Sequence, residues 1–347
     1  MKSIRKFDAV PKLNGSWKFL DDYSYPDMLH GQLLYSKCHH GLIKQINYPE
    51  GYDLSEFTFV SVEDIPGKNI VPCKGCGFCE KHGYCVTKDD DMAGELYSLL
   101  VEADIIVAAT PIYFYNATAQ LKGLIDRSQA LWSRRYKLGL SDPQKKSRTG
   151  VMLAVGATRG KNLFEGIRLT SKYFFDAVSA DFKGELAYRR VENPGDMEKH
   201  PDVLTDVDNE TRKLDALFDR KKILFLCVGN SCRSQMADSF AKHFAGDRIE
   251  ALSAGSAPAE NINPVMEESM AEKKIDTYLR KPGSIDNALL EMKPDMIVTM
   301  GCGENCPHVP GAEIIEWDIM DPKGKGIDVM RQVRDEIEAN VRKLVGM

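Results

Sequence analysis

Short apolar runs of strand length alternate with helix-like patterns along the C-terminal part of the chain, and this alternation restricts the fold strongly. The strand-like runs cover 222–228, 249–253, 295–300 and 313–317. The helical patterns that separate and follow them cover 233–245, 262–273, 284–292 and 327–344. Buried strands that alternate with helices build a parallel sheet covered by helices. Residues 219–347 are therefore predicted to form one α/β domain of ordinary size.

A second, shorter set of such patterns lies upstream. Buried-strand patterns occupy 103–110 and 149–156, and helical patterns occupy 91–102, 117–132 and 162–177. We expect a truncated α/β unit over 71–218, with its boundary where a polar, acidic stretch gives way to the apolar strand that follows Lys222. Residues 1–70 carry only short strand-like pieces separated by turn residues, and they are predicted to form a β-rich segment.

The composition excludes several classes of protein. The 347 residues include 46 Lys and Arg against 51 Asp and Glu, so no basic arm for nucleic acid or for a membrane surface is expected. No apolar run is long enough to cross a membrane, and the N-terminus lacks the apolar core of a secretory signal. Eight of the nine cysteines fall into three tight groups, which is typical of reactive or metal-binding thiols in a reducing compartment. We therefore expect a cytoplasmic protein.

The clearest motif joins a strand to a helix through a short loop. Cys227 ends the strand, Arg233 opens the helix, and five residues lie between them. Backbone N–H groups in such a loop, together with the helix N-terminus, bind an anion and stabilise a thiolate, while a guanidinium clamps two oxygens of a tetrahedral oxyanion. The residues predicted to surround that oxyanion are Val228, Gly229, Asn230, Ser231, Cys232 and Ser234.

This part of the chain resembles the low-molecular-weight protein tyrosine phosphatases and the arsenate reductases that share their fold. The resemblance is carried by CVGNSCRSQMA at the loop, by Ser253-Ala-Gly255, by TMGCGENCPHVPG at 299–311, by Asp321-Pro322 and by VRDEIEANVRKL at 333–344. It implies that Cys227 is the nucleophile and Arg233 the oxyanion clamp. It also implies that Asn230 and Ser234 support the loop and that Asp321 protonates the leaving oxygen.

Two further cysteines favour the reductases over the phosphatases. An arsenate reductase needs extra thiols to release arsenite, and Cys302 and Cys306 supply them. In the implied cascade Cys302 attacks the sulfur of Cys227, Cys306 attacks Cys302, and thioredoxin opens the resulting disulfide. The pair is more closely spaced than in thioredoxin-coupled reductases, so a small thiol that completes the cycle stays an alternative. A phosphatase acting on phosphate esters, a zinc half-site and idle thiols also stay open.

Four cysteines crowd the start of the upstream unit. Cys73, Cys76 and Cys79 lie within seven residues, and Cys85 follows. Such crowding favours a [4Fe-4S] cluster, with zinc and unliganded thiols as alternatives. The segment resembles the iron–sulfur flavoproteins and the NADPH-dependent FMN reductases of flavodoxin-like fold.

That resemblance implies FMN and NADPH as cofactors. It assigns the isoalloxazine ring to the loop after one strand and to the loop after the next, through Pro111, Tyr113, Tyr115, Asn116, Thr158 and Gly160. Simple loop packing is the alternative for the two tyrosines. No loop rich in Ser, Thr, Gly or Asn that would anchor the FMN phosphate occurs between Met1 and Val71.

The first 70 residues resemble the opening of the hammerhead domain of xanthine dehydrogenases and aldehyde oxidases, through GSWKFLDDYSYPDMLHGQLLYSKCHHGLIKQIN. No molybdenum-binding portion follows, so no molybdopterin is expected. The sequence as a whole predicts an arsenate reductase fused to a flavodoxin-like redox module. A phosphomonoesterase and a non-catalytic electron carrier are the alternatives, and analogy at the level of fold suggests a homo-oligomer.

Overall fold

A computed structural model describes residues 68–193, 195–215, 219–301 and 307–347. The segment that resembles a hammerhead domain therefore lies outside the described residues, except for its last three positions. Within the described ranges, no helix combines the length and the apolar character needed to cross a membrane. Two parallel sheets are present in these ranges, and we refer to the parts built around them as the first unit and the second unit.

The first unit contains a three-stranded parallel sheet in the order β1-β2-β3. Its strands are β1 (Ile105–Pro111), β2 (Thr149–Gly156) and β3 (Asp181–Arg189). Its helices are α1 (Phe78–His82), α2 (Tyr97–Glu102, after a π-helical turn at Met92–Leu96), α3 (Ala119–Arg127), α4 (Gln129–Tyr136), α5 (Glu165–Ala177) and α6 (Val203–Asp215), with a 3-10 turn at Pro143–Lys146.

Two features of this unit differ from the sequence-based expectation. The helix predicted over 117–132 is divided at Ser128, whose hydroxyl donates a hydrogen bond to the carbonyl of Leu124 at 3.0 Å. A serine that bonds back to the preceding turn is known to bend a helix. Strand β3 has no counterpart among the predicted elements, because it is an edge strand with few fully buried side chains and therefore lacks a strong apolar pattern.

A buried ion pair closes the loop that carries the four cysteines. Arg127 and Asp90 are paired with almost no exposure of either side chain. Arg127 also donates to the carbonyls of Val71 at 2.7 Å and Thr87 at 3.2 Å. Burial by itself would raise the pKa of Asp90, but hydrogen bonds from Arg127 and from the backbone outweigh it and lower that pKa.

The second unit contains a four-stranded parallel sheet in the order β5-β4-β6-β7. Its strands are β4 (Lys221–Cys227), β5 (Ile249–Gly255), β6 (Met296–Thr299) and β7 (Glu313–Glu316). Its helices are α7 (Arg233–Ala245), α8 (Pro264–Glu272), α9 (Ile285–Glu291) and α10 (Ile327–Leu344). These elements confirm the predicted α/β class and reproduce the predicted strands and helices closely.

Strand β4 positions the site because it lies inside the sheet and is covered on both faces. Ile223 and Phe225 belong to one buried cluster, whereas Leu224 and Leu226 belong to the cluster on the other face. The strands that follow β4 in the chain pair on opposite sides of it, so the order reverses there. In open α/β sheets ligands bind outside the carboxyl end of a strand at such a point. Cys227 is the last residue of β4.

Candidate active site

The loop between β4 and α7 curls around the sulfur of Cys227. Cys227 is 3% exposed, and its Sγ accepts a hydrogen bond from the backbone N–H of Asn230 at 3.2 Å. Its Sγ also lies 3.0 Å from the hydroxyl oxygen of Ser234, at the start of α7. Hydrogen bonds to sulfur and a helix N-terminus both stabilise a thiolate. The structure thus places the predicted nucleophile where its anionic form is supported.

Asn230 is the residue that shapes this loop. Its φ is +44°, which only a few non-glycine residues adopt, and its side chain is completely buried. The side-chain amide of Asn230 donates to Ser234 Oγ at 2.8 Å, and its Oδ1 accepts from Gln235 Nε2 at 3.0 Å and from the N–H of Gly283 at 2.7 Å. These contacts agree with the supporting roles implied for Asn230 and Ser234.

Arg233 faces the predicted acid across the mouth of the loop. Its Nη2 donates to Asp321 Oδ2 at 2.9 Å, and its Nη1 donates to the carbonyl of Ile319 at 3.1 Å. Arg233 is buried, whereas the Asp321 side chain is half exposed. A buried guanidinium beside a half-exposed carboxylate is the arrangement that the predicted roles of oxyanion clamp and proton donor require.

The remaining loop residues supply backbone and packing. Val228, Gly229 and Ser231 lie between Cys227 and Cys232 in the loop. Cys232 is 5% exposed within the core cluster of this unit, and burial raises the pKa of its thiol to about 11. A thiol with so high a pKa stays protonated near neutral pH and is a poor nucleophile. Cys232 is therefore not suited to act as the nucleophile, and Cys227 stays the predicted one.

Cys302 and Cys306 lie outside the described residues, and the structure leaves their predicted resolving role untested. The residue before them is described. Gly301 has a φ of +80°, and a Cβ placed on it would lie 3.3 Å from Arg233 Nη1. Gly301, the last described residue before the two cysteines, therefore lies beside the guanidinium of Arg233.

Two contacts of the loop were not among the predicted site residues. Gly255, at the end of β5, approaches the loop so closely that a Cβ on it would lie 2.5 Å from the carbonyl oxygen of Val228. Gln235 is 3% exposed and joins Asn230 to the carbonyl of Lys281 at 3.1 Å. In the sequence, Gln235 is a polar residue in a helix that is otherwise expected to be buried. Such a residue needs a hydrogen-bond partner, but the sequence does not identify that partner.

In the first unit, the loop predicted to hold a flavin ring presents aromatic side chains to solvent. Tyr113 and Tyr115 are 61% and 51% exposed, and Phe114 between them is fully exposed. The backbone groups of Tyr113 and Asn116 pair with each other at 3.0 Å, which makes a tight turn with positive φ at Phe114 and Tyr115. This loop directly follows β1 and the residue Pro111 that ends it.

The next loop of the same unit meets this turn. A Cβ on Gly160 would lie 2.9 Å from the hydroxyl oxygen of Tyr115 and 3.7 Å from Thr158 Oγ1. The predicted ring-binding residues Thr158 and Gly160 are therefore brought together with Tyr115 at one edge of the sheet. Exposed aromatic faces at the carboxyl edge of a parallel sheet fit a planar, apolar ring such as isoalloxazine.

The structure does not gather the four upstream cysteines into a ligand set, so the predicted [4Fe-4S] cluster finds no support in it. Cys73 and Cys76 are exposed, whereas Cys79 and Cys85 are half-buried against the apolar core. Cys79 Sγ accepts a hydrogen bond from Ser133 Oγ at 3.5 Å. Over the described ranges, no three His, Cys, Asp or Glu side chains are arranged to hold a metal ion. A cluster needs its thiolates to converge, and here two of the four sulfurs serve packing instead.

The strand, loop and helix around Cys227 define a thiol-dependent protein that acts on a tetrahedral oxyanion. Residues 222–346 match the family model of low molecular weight phosphotyrosine protein phosphatase. Arsenate reductase 1 of Bacillus cereus is 40% identical over 129 residues, which make up 36% of this chain and 94% of that protein. An arsenate reductase of Halalkalibacterium halodurans is 40% identical over 134 residues, with the same coverage of 36% and 94%. The chain belongs to the family that these arsenate reductases share with the phosphatases.

Two other comparisons concern a solved structure and the first unit. A solved arsenate reductase, described in its phosphate binding state, is 31% identical and aligns with 36% of this chain and 97% of its own, with a TM-score of 0.34. Residues 48–164 match the family model of NADPH-dependent FMN reductase, and this range includes the turn at Tyr113 and the loop at Gly160. The match over 222–346 and the two relatives confirm the resemblance stated for the second unit, and the match over 48–164 confirms the resemblance of the first unit to the NADPH-dependent FMN reductases.

Proposed function

We propose that the second unit reduces arsenate to arsenite with Cys227 as the nucleophile. The observation that carries this proposal is the sulfur of Cys227, held by Asn230 N–H and by the Ser234 hydroxyl, at the head of a loop that Arg233 closes. Arsenate is a tetrahedral oxyanion of the size and charge that this loop accepts. The two relatives reported above are arsenate reductases, and this unit aligns with nearly the whole length of each.

In the first step, the thiolate of Cys227 attacks arsenic and an As–S bond forms. One oxygen leaves as water, after taking a proton from Asp321, whose carboxylate lies beside Arg233. The arginine neutralises the charge on the remaining oxygens. This step changes no oxidation state, because the bond to sulfur replaces a bond to oxygen.

The reduction follows when a second thiolate attacks the sulfur of Cys227. We assign that attack to Cys302: the As–S electron pair leaves with arsenic, arsenite is released, and a disulfide between Cys227 and Cys302 forms. Cys306 then attacks Cys302, which frees Cys227 and leaves a 302–306 disulfide. Thioredoxin or a small dithiol reduces that disulfide and supplies the two electrons. The start of this segment at Gly301, next to Arg233, supports the assignment.

The test is arsenite formation from arsenate by anaerobic full-length protein with thioredoxin, thioredoxin reductase and NADPH. We expect Cys302→Ser and Cys306→Ser to abolish turnover, whereas Cys38→Ser serves as the matched control and retains it. A wild type that forms no arsenite but hydrolyses an aryl phosphate, with or without Cys302, would show that the protein is a phosphatase. Thiol chemistry of this kind requires reduced cysteines, which is the reason to assign the protein to the cytoplasm.

For the first unit we propose FMN binding, with the ring on Tyr113 and Tyr115 and with Pro111, Asn116, Thr158 and Gly160 at its edges. Bound FMN would supply electron transfer, with NADPH as its source of hydride. The exposed aromatic turn and the match over 48–164 support this proposal. Titration of the full chain with FMN, followed by quenching of flavin fluorescence, tests it. We retain 1–70, 71–218 and 219–347 as the proposed divisions of the chain.

A further inference from the structure

One short segment of the second unit contacts both the first unit and the loop around Cys227. It comprises residues 276–283, between α8 and α9, and we refer to it as the bridging segment. Asp276 and Tyr278 at its start face the first unit, and Gly283 at its end contacts Asn230. The bridging segment therefore offers a physical connection between the two units at the site itself.

Its start is clamped by Arg134 of α4. Arg134 Nε and Nη2 donate to the two carboxylate oxygens of Asp276 at 2.7 and 2.8 Å, and both side chains are mostly buried. The same guanidinium lies 4.1 Å from the ring centre of Tyr278 and donates to the carbonyl of Gly83 at 3.2 Å. A bidentate pair with a stacked ring fixes orientation as well as distance.

The clamp is one of several contacts between the bridging segment and the first unit, because Tyr278 and Leu279 also pack against the apolar core of that unit. A cavity of about 510 Å³ lies between the two units, and Arg134, Asp276, Arg280 and Gln235 are among its lining residues. Arg280 of the bridging segment pairs with Asp238 of α7, and both residues line this cavity. The bidentate Arg134–Asp276 pair is therefore a charged contact that ties the start of the bridging segment to the first unit, beside apolar packing.

The end of the bridging segment holds Asn230. The N–H of Gly283 and the Gln235 amide both donate to Asn230 Oδ1, and Gln235 is itself bonded to the carbonyl of Lys281. Asn230 has positive φ, a conformation that costs free energy and persists only where its surroundings impose it. The same backbone places the N–H of Asn230 on the sulfur of Cys227.

We propose that Arg134 and Asp276 are positioning residues for Cys227, and that the first unit thereby forms a remote part of the active site. The clamp fixes the bridging segment, the bridging segment fixes Asn230, and Asn230 keeps its N–H on the nucleophilic sulfur. This inference rests on the proposed role of Cys227 as nucleophile, and it adds the upstream unit as its intramolecular partner.

The test compares Asp276→Ala, Asp276→Glu and wild type as full-length proteins. The readout is the rate at which iodoacetamide alkylates Cys227 at pH 6, measured by mass spectrometry of the peptide 223–233, with and without inorganic phosphate. We expect about a three- to ten-fold lower rate in Asp276→Ala, because the thiolate loses support. Asp276→Glu, which keeps a carboxylate for Arg134, should recover most of the rate. The phosphate concentration that gives half-maximal protection should stay within about two-fold of the wild-type value in both variants.

Glu185→Ala is the matched control, since Glu185 forms a two-point pair with Arg168 inside the first unit, away from the bridging segment. An unchanged rate in Asp276→Ala, or an equal fall in Glu185→Ala, would overturn the inference. Faster alkylation with loss of phosphate protection would also overturn it, because it would show that Asp276 merely keeps the site folded. The assay uses no arsenate, so a wild type that forms no arsenite would contradict the proposed function alone.

Discussion

The two units each place a strained turn at the carboxyl edge of a parallel sheet, but they stabilise it in different ways. In the second unit, Asn230 has positive φ and is completely buried, and side-chain hydrogen bonds hold it. In the first unit, Phe114 and Tyr115 have positive φ and are exposed, and the backbone pair between Tyr113 and Asn116 holds the turn. The turn in the first unit is thus held by a backbone pair, whereas the turn in the second unit is held by the side chain of Asn230.

This difference matches two kinds of ligand. A small oxyanion needs converging donors at fixed positions, and a buried, fully paired loop supplies them without rearrangement. A planar ring needs accessible aromatic surface, and side chains that stand free of the core supply that. The same fold class thus carries two proposed sites, and the way each turn is held suits the ligand proposed for it.

The largest effect is expected from Cys227→Ser, which should abolish the activity of one site and leave the other unchanged. A serine hydroxyl is far less acidic than a thiol and cannot form the exchangeable bond to sulfur, so we expect arsenite formation to fall by at least about 1,000-fold. The variant should bind FMN as the wild type does. A parallel loss of FMN binding would contradict the separation of the two sites.

The next largest effect is expected from Gly255→Ala. The added Cβ would lie 2.5 Å from the Val228 carbonyl oxygen and 2.9 Å from the backbone nitrogen of Asn230, so the loop must shift. We expect turnover to fall by about ten- to 100-fold, as for other misplacements of about 1 Å near reacting groups.

Gly326→Ala is the control for that variant, because no atom lies within 4 Å of the position of its Cβ. It should leave turnover within about two-fold of wild type. If Gly255→Ala were equally active, the close approach of β5 to the loop would have no role in catalysis.

A smaller effect is expected from Tyr113→Ala in the exposed turn. Removal of one stacked ring should weaken FMN binding by about five-fold, since aromatic pairs contribute about 1 kcal/mol beyond burial. Tyr173→Ala, which removes an equally exposed tyrosine from α5, is the matched control and should not change the dissociation constant. If both variants bound FMN with equal affinity, the proposal that the flavin ring lies on this turn would be wrong.

The last prediction concerns the pH dependence of stability, which the second loop cysteine should affect without any direct effect on either site. Burial raises the pKa of Cys232 from 9.0 to about 11, so the folded state retains a proton that the unfolded state loses. Stability from this group is complete below pH 9 and is lost as the pH rises towards 11, by at most about 3 kcal/mol. Thermal unfolding between pH 8 and 10.5 should therefore show a steeper decline for wild type than for Cys232→Ala. Parallel curves would contradict the burial of this thiol.

The oxyanion loop was predictable from sequence because its function requires particular residues at fixed spacing. Cys227, Arg233 and the strand before them specify the turn, the helix N-terminus and the anion site together. Asp321 lies 88 positions after Arg233, and only the resemblance to a family linked the two before the structure placed them at 2.9 Å.

Other features could not be predicted because they depend on contacts between distant segments. Nothing in the local pattern of Gln235 or Gly283 indicates that both bond to Asn230. For the four upstream cysteines the local pattern was misleading instead, since their close spacing suggested that their sulfurs meet at one metal site. In the structure, Cys79 of α1 and Cys85 after it lie partly buried against the apolar core of the first unit.

The ion pair between Arg127 and Asp90 helps to hold together the two ends of the stretch that carries the four upstream cysteines. Backbone bonds from Asn69 and Val71 to Asp91 and Asp90 join its two ends at 2.6 and 2.9 Å. Because the ends are tied independently of what lies between them, lengthening the stretch costs only the slowly growing entropy of loop closure. The exposed thiols of Cys73 and Cys76 can therefore be respaced at small cost to the sheet, whereas Cys79 and Cys85 are fixed by their contacts with the core.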